Sequence, residues 1–139
     1  MEYLSAKDIL QIHSVVIDEA GGVHGTRDMN TILSLEILPR QKAFGKELYP
    51  TIFEKAAVYV RNIILGHPFF DGNKRTGITA AIVFLNDNSY AFEARDGEIE
   101  SFALKVVHEK LDLESISAWL RRHSSKGERK TTNPIRIIK

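Results

Sequence analysis

Nine consecutive residues, His67-Pro68-Phe69-Phe70-Asp71-Gly72-Asn73-Lys74-Arg75, bring together a base, a hard carboxylate, a glycine and two cations. Histidine titrates near neutrality, so His67 can accept a proton from an attacking hydroxyl. Asp71 offers the kind of carboxylate oxygen that Mg²⁺ takes when it is bound jointly with substrate phosphates. Gly72 lets a ligand approach the main chain closely. Lys74 supplies a compact positive charge and Arg75 a planar fork suited to phosphate oxygens. A helix beginning at Gly72 would add unpaired N–H groups and a dipole that favour an anion. A basic pair in the first turn runs against that dipole and calls for an anionic partner. Together these groups describe phosphoryl or nucleotidyl transfer, where catalysis is mainly positioning and charge stabilisation. Taken singly, each has a plainer use: His67 as a histidine closing a helix, Asp71 as an N-cap, Lys74 and Arg75 as solvated helix residues. The stretch is not a Walker A loop, because G-x-x-x-x-G-K-[ST] is absent.

The elements that must position this stretch are helical nearly throughout. Ser5 and Asp8 have the spacing of a capping box, with Leu4 and Ile9 placed for a hydrophobic staple. Ile9, Ile12, Val16 and Ile17 mark one face of that first helix, and Gly21-Gly22 ends it. The connection GGVHGTR leads to a short helix from about Asp28, with Met29, Ile32 and Leu33 as its apolar side and Pro39 as its stop. Residues 39–49 have no helical period, and Phe44-Gly45 between charged flanks suits a surface turn or small hairpin. Thr51 opens a third helix with Glu54 as capping partner. Phe53, Ala56, Ala57, Val60, Ile63 and Ile64 follow a 3.6-residue period that makes it central, and Gly66 should terminate it. Ile78, Ala81, Ile82 and Leu85 define a fourth helix to about Asn88, with Gly77, Ala80 and Ala81 small enough for close packing on the third. Tyr90–Ala94 alternates like a strand. Asp96 and Asp112 are expected N-caps for two more amphipathic helices, the first turning Ile99, Phe102, Ala103, Val106 and Val107 inward. The second turns in Leu113, Ile116 and Leu120, with Trp119 alongside. Residues 124–139 read as a loose tail. The expected architecture is an all-α bundle of residues 1–123 with one or two small β-hairpins.

Composition narrows the function classes. With 139 residues, 43% apolar and 27% charged, the chain fits one soluble domain with a sizeable core. The absence of cysteine excludes disulfides, thiolate zinc sites and cysteine nucleophiles, and is compatible with a cytoplasmic setting. The start, MEYLSAKD, shows no secretory leader, and no apolar run reaches the roughly 20 residues of a membrane span. Residues 1–120 carry 12 Lys/Arg against 17 Asp/Glu, whereas residues 121–139 carry seven basic residues against Glu128 alone. Such a basic tail can contact an acidic partner, although a solvated tail is the plainer reading. No nucleic-acid motif is present and the body is acidic, so direct nucleic-acid binding is not expected. His13, His24, His108 and His123 lack metal-ligand spacing and read as surface or helix-face residues.

HPFFDGNKR resembles the signature loop of the Fic/Doc family, H-x-F-x-[DE]-[GA]-N-[GK]-R. The likeness extends to GTRD at 25–28, FGKELYPTIFEKAA at 44–57 and TAAIVFLNDNSY at 79–90, and covers roughly residues 3–122. These flanks are similar to the death-on-curing branch. The resemblance implies a compact helical fold in which the loop joins the two central helices. It implies that His67 is the general base for a target hydroxyl, that Asp71 holds Mg²⁺, and that Gly72, Asn73, Lys74 and Arg75 hold nucleotide phosphates. Phe69 would anchor the loop by packing, and Thr79 is an additional polar candidate for the nucleotide.

Two departures bear on the reaction. Adenylylating relatives have glycine where this chain has Lys74 and a second arginine where it has Ile78. A lysine in the phosphate pocket goes, in Doc-like members, with an inverted nucleotide that presents its γ-phosphate. The resemblance therefore implies ATP-dependent phosphorylation of a Ser or Thr hydroxyl on a translation factor such as elongation factor Tu, arresting translation. Gly72 matches the adenylylating loops better, which keeps AMP transfer as the alternative; a non-catalytic nucleotide- or partner-binding module is the third reading. Related proteins are restrained by a [ST]-x-x-x-E-[GN] helix. Here Ser89-x-x-x-Glu93 is followed by Ala94 within a strand-like stretch, so restraint is expected from a separate Phd-like antitoxin. Residues 39–49 would be the flap that holds a target segment by main-chain pairing.

Overall fold

A computed structural model describes residues 1–127. Among these the chain forms six α-helices, α1 (Ala6–Ala20), α2 (Met29–Ser34), α3 (Ile52–Gly66), α4 (Asn73–Asp87), α5 (Glu98–Glu109) and α6 (Leu113–Arg122). Two short antiparallel ladders accompany them, β1 (Lys42–Ala43) with β2 (Lys46–Glu47) and β3 (Tyr90–Phe92) with β4 (Ser124–Lys126). The expected all-α bundle with two small hairpin-like ladders is therefore the observed architecture. No helix among the described residues is long and apolar enough to cross a membrane.

The core is organised around α3 and α4. Ala56 through Val60, with Ile63 and Ile64, are buried on α3, so its interior face is wider than the single stripe in the sequence. Thr76 through Ile82, with Phe84 and Leu85, are buried on α4. A helix buried on nearly all sides must be covered by several neighbours. Here α1 and α5 pack on α4, while α2, α5 and α6 pack on α3. The small residues do what their size requires. A Cβ on Gly77 would lie 2.8 Å from Cγ1 of Ile64 and 3.2 Å from the carbonyl oxygen of Val60, so α4 meets α3 almost backbone to backbone.

Local chemistry sets most helix starts. Ser5 and Asp8 form the reciprocal capping box, and Leu4 and Ile9 are buried. Asp28, Thr51 and Asp112 each accept a main-chain N–H three residues on. Asp96, however, does not cap α5. Gly97 occupies that position with φ 85°, and the Glu98 carboxylate instead accepts the N–H of Arg95 at 2.7 Å. The second helix also differs from expectation, ending at Ser34 well before Pro39, which sits in a 3-10 turn, Leu38–Arg40. Its buried contacts are Ile32 and Leu35, whereas Met29 and Leu33 face outward. Short helices leave the tertiary environment free to choose the face.

Residues 39–49 form the hairpin of β1 and β2, turning through Phe44 (φ 53°) and Gly45 (φ 76°), the two positive φ values of a tight hairpin turn. The hairpin is tied to α3 by Lys55, which is 1% exposed. Its ammonium donates to the carbonyl of Pro39 and to the Glu47 carboxylate, each at 2.9 Å. The hydrogen bond and charge of Lys55 hold the Glu47 carboxyl below its ordinary range. The expected loose tail from Ser124 is corrected at its start, because 124–126 pair with β3. The rest of that basic tail, 128–139, lies outside the described residues.

His123 closes α6 and is not a surface histidine. Nδ1 contacts the carbonyl of Trp119 and Nε2 contacts Glu98, both at 2.8 Å, with the ring 4.1 Å from that of Trp119. The N–H of Arg95 and the His123 side chain hold the Glu98 carboxyl below its ordinary range.

Two outcomes follow from this packing. Gly77→Val should cost about 1–3 kcal/mol by urea unfolding, because a branched side chain has no room between α3 and α4. A depressed folded-state pKa contributes stability that is present above the unfolded pKa and lost as pH falls through the folded one. Glu98→Gln should therefore melt below the parent protein at pH 7, and the gap should close as pH drops below roughly 4.

Candidate active site

The loop between α3 and α4 spans residues 67–72 and reverses the chain. Gly66 is the last residue of the helix, as expected. His67 is the cap, in the left-handed region at φ 47° and ψ 55°. A non-glycine residue there is strained by about 1–2 kcal/mol, so the surroundings must hold it. Arg27 does so, donating through Nε (3.0 Å) and Nη2 (2.7 Å) to the His67 carbonyl. The His67 side chain is exposed, and its ring makes no hydrogen bond among the described residues. A histidine held at its main chain and free at its ring is suited to meeting a hydroxyl from outside.

The rest of the loop is fastened along its length. The carbonyl of Pro68 accepts the N–H groups of Arg27 (2.7 Å) and Asp28 (2.9 Å), Phe69 pairs with Thr26 as an antiparallel bridge, and Phe70 donates to the carbonyl of Gly25 at 3.2 Å. The connection GGVHGTR thus acts as a second strand for the signature loop. Two of its glycines are required by close approach. A Cβ on Gly22 would lie 2.6 Å from Oδ2 of Asp71, and one on Gly25 would lie 2.8 Å from the Phe70 ring. Phe69 is buried, as an anchor should be.

The Asn73 side chain fastens the loop from the first turn of α4. It is buried, its Oδ1 accepts the N–H of Phe69 and its Nδ2 donates to the carbonyl of Phe69, each at 3.0 Å. Gly72 is the N-cap of α4 at φ 76°, and a Cβ would meet Cδ1 of Ile17 at 2.8 Å. Backbone conformation and Ile17 therefore explain this glycine before any ligand does.

A cavity of about 350 Å³ opens beside the start of α4, lined by residues 71–75 and by Ile99, Glu100, Ala103 and Leu104 of α5. It brings together Asp71, Gly72, Asn73, Lys74 and Arg75, with Lys74 and Arg75 both exposed. His67 is at the far end of the loop and does not line it. Thr79 is fully buried, without a hydrogen-bond partner for its hydroxyl among the described residues, and is not in the lining. A larger groove, about 830 Å³, lies between α5 and α6 but contains no loop residue. The loop cavity is the one beside the candidate chemistry.

One contributor carried only a general expectation from sequence, that of a surface or helix-face residue. His13 is 4% exposed, on the buried face of α1. Its ring stacks on Phe69 at 3.7 Å and 3°, and its Nε2 lies 2.8 Å from the main-chain oxygen of Asp71. Burial lowers its pKa, opposed by the hydrogen bond to Asp71. The signal was available, because His13 falls on the apolar face between Ile9 and Val16-Ile17 of α1. Arg27 lies in the GTRD stretch of the family likeness, but no role for it could be read from the sequence.

Residues 3–85 match the model of the Fic/DOC family. The chain belongs to that family. Among Fic/DOC relatives, toxin Doc of Mycolicibacterium smegmatis (strain ATCC 700084 / mc(2)155) is 32% identical over 122 residues, which is 86% of this chain and 91% of that one. Protein kinase doc of Escherichia phage P1 is 27% identical over 123 residues, covering 88% and 95%. The family model covers the segment that ends within α4, and the likeness to the two relatives covers more of the chain than that.

For this Fic/DOC loop, Asn73→Ala leaves the N–H and carbonyl of Phe69 unpaired in a buried setting. The variant should lose about 2 kcal/mol by chemical denaturation and show faster amide exchange at Phe69.

Proposed function

We propose that this Fic/DOC protein is a Doc-like toxin that transfers the γ-phosphate of ATP to a Ser or Thr hydroxyl of a translation factor of the elongation factor Tu kind, arresting translation. The observation that carries the reading is the pair Lys74 and Ile78. Lys74 is exposed in the cavity beside Arg75, whereas Ile78 is completely buried in α4. The cationic wall is thus built from adjacent residues of the first turn, with no cation one turn further along that face. The relatives named toxin Doc and protein kinase doc support the same reading.

In this mechanism the His67 ring takes the proton of the target hydroxyl as its oxygen attacks the γ-phosphorus. The bond from the γ-phosphorus to the bridging oxygen breaks, and ADP leaves. Lys74, Arg75 and the first N–H groups of α4 hold the phosphate oxygens, with Gly72 shaping the approach and Asn73 fixing the loop. Asp71 fits a Mg²⁺ site: its carboxylate is exposed beside the cavity, and no group of three His, Asp or Glu among the described residues forms a protein cage. Mg²⁺ commonly takes one or two carboxylates and completes its shell with phosphates and water, and when bound it would offset phosphate charge. Thr79 would act only through packing. The β1–β2 hairpin, fixed by Lys55 and Glu47, would hold the target segment by main-chain pairing, and a Phd-like antitoxin would restrain the protein. Residues 1–123 would act as the Fic/Doc domain, in the cytoplasm.

AMP transfer is the second reading, favoured by the glycine at position 72. The test is incubation of the protein with Mg²⁺ and a bacterial lysate, using ATP labelled at the α- or the γ-phosphate, beside His67→Ala. A protein band labelled from γ-ATP alone, and absent with His67→Ala, is the expected result. Label from α-ATP would replace phosphorylation by adenylylation. Silence from both would sink the transferase reading for any target in that lysate.

A further inference from the structure

We infer that His13, together with the Gly22-Val23 turn, is a positioning residue for Asp71: α1 and the turn after it aim the carboxylate that serves the nucleotide site. The inference rests on the reading of Asp71 as the Mg²⁺ carboxylate. A carbonyl oxygen only accepts hydrogen bonds, so the 2.8 Å contact between Nε2 of His13 and the main-chain oxygen of Asp71 places the ring proton on Nε2. The ring plane is itself fixed by stacking on Phe69, 3.7 Å away and within 3° of parallel. Phe69 is in turn closed at both main-chain groups by Asn73. Residues 69–71 are thereby held as a unit from three directions, with His13 supplying the contact on the main-chain oxygen of the residue that bears the carboxylate.

The carboxylate end is held separately. The N–H of Val23 donates to Oδ2 of Asp71 at 3.1 Å, and the N–H of Gly72 donates to Oδ1 at 2.9 Å. Val23 can come this close only because Gly22, at φ 122°, has no Cβ, whose place would be 2.6 Å from Oδ2. Residues outside a metal site that orient its ligands commonly matter by about 10- to 100-fold when removed. A core role alone would be served by phenylalanine, a somewhat larger flat ring that keeps the stacking on Phe69 but donates no proton. That difference makes the two roles separable.

The experiment compares the full-length protein with His13→Phe and His13→Gln by two readouts. The first is amide exchange at Val23 and Phe70 without nucleotide. The second is the Mg²⁺ dependence of transfer from ATP. His13→Phe should keep a melting temperature within a few degrees of the parent. It should exchange faster at Val23 and need about 10-fold more Mg²⁺ for half-maximal rate. His13→Gln, whose side-chain amide can donate to the same carbonyl, should recover most of both effects. Parent-like exchange and Mg²⁺ dependence in His13→Phe would overturn the inference. So would a defect of equal size in His13→Gln. Should His13→Phe fail to fold, His13→Gln decides alone, since a retained donor must keep both readouts near the parent. If the parent transfers nothing from ATP, the proposed function fails by itself, and exchange at Val23 still decides whether His13 positions Asp71.

Discussion

The chain must turn back between two buried helices within residues 67–72, and the double hydrogen bond from Asn73 to Phe69 is what allows it. A buried loop carries N–H and carbonyl groups that have to be paired somewhere. Asn73 pairs those of Phe69 from the first turn of α4, so the helix and the loop that precedes it are one rigid piece. Everything that could touch a nucleotide hangs on that piece: Asp71 before it, Lys74 and Arg75 after it. The left-handed conformations at His67 and Gly72 mark its two ends, one stabilised by Arg27 and the other available only to a residue without a side chain.

Packing of α4 explains why the site can be so exposed and still be well placed. The helix is buried along most of its length, with Gly77 closing the distance to α3. Rigid elements position chemistry better than loops do. His67, by contrast, is a strained residue whose main chain is tied and whose ring is exposed. Such a division fixes where His67 lies while leaving its ring accessible from outside. The connection between α1 and α2 completes the frame, since Gly22 and Gly25 admit the signature loop at distances that a Cβ would forbid.

Much of this was legible in the residues. Capping boxes and N-caps at Ser5, Asp28, Thr51 and Asp112 are short-range chemistry and need no partner from elsewhere in the chain. The period in α3 and the small residues of α4 announced a central pair. Errors fell where local signals were weak. The α2 segment is six residues long, so its buried face was settled by what it packs against. Asp96 had the right type for a cap, but the Glu98 carboxylate took the local N–H and left the cap to Gly97. Lys55 and His13 look solvent-facing by type, yet each is buried because a partner far along the chain, Glu47 with Pro39 or Asp71 with Phe69, compensates its polarity.

The sequence by itself determined the helical class, the loop between the central helices, and the residue types that could meet a phosphate, because period, caps and side-chain chemistry are local properties. Only the tertiary structure decided which of those residues face a cavity and which serve the fold. Thr79 is turned inward, Asn73 lines the cavity while its side chain fastens the loop, Lys74 and Arg75 face outward, and His13 and Arg27 are recruited from 40 or more positions away to hold the loop. The reason is physical: burial and hydrogen-bond satisfaction depend on what arrives from other elements, and that is set only when the chain has packed.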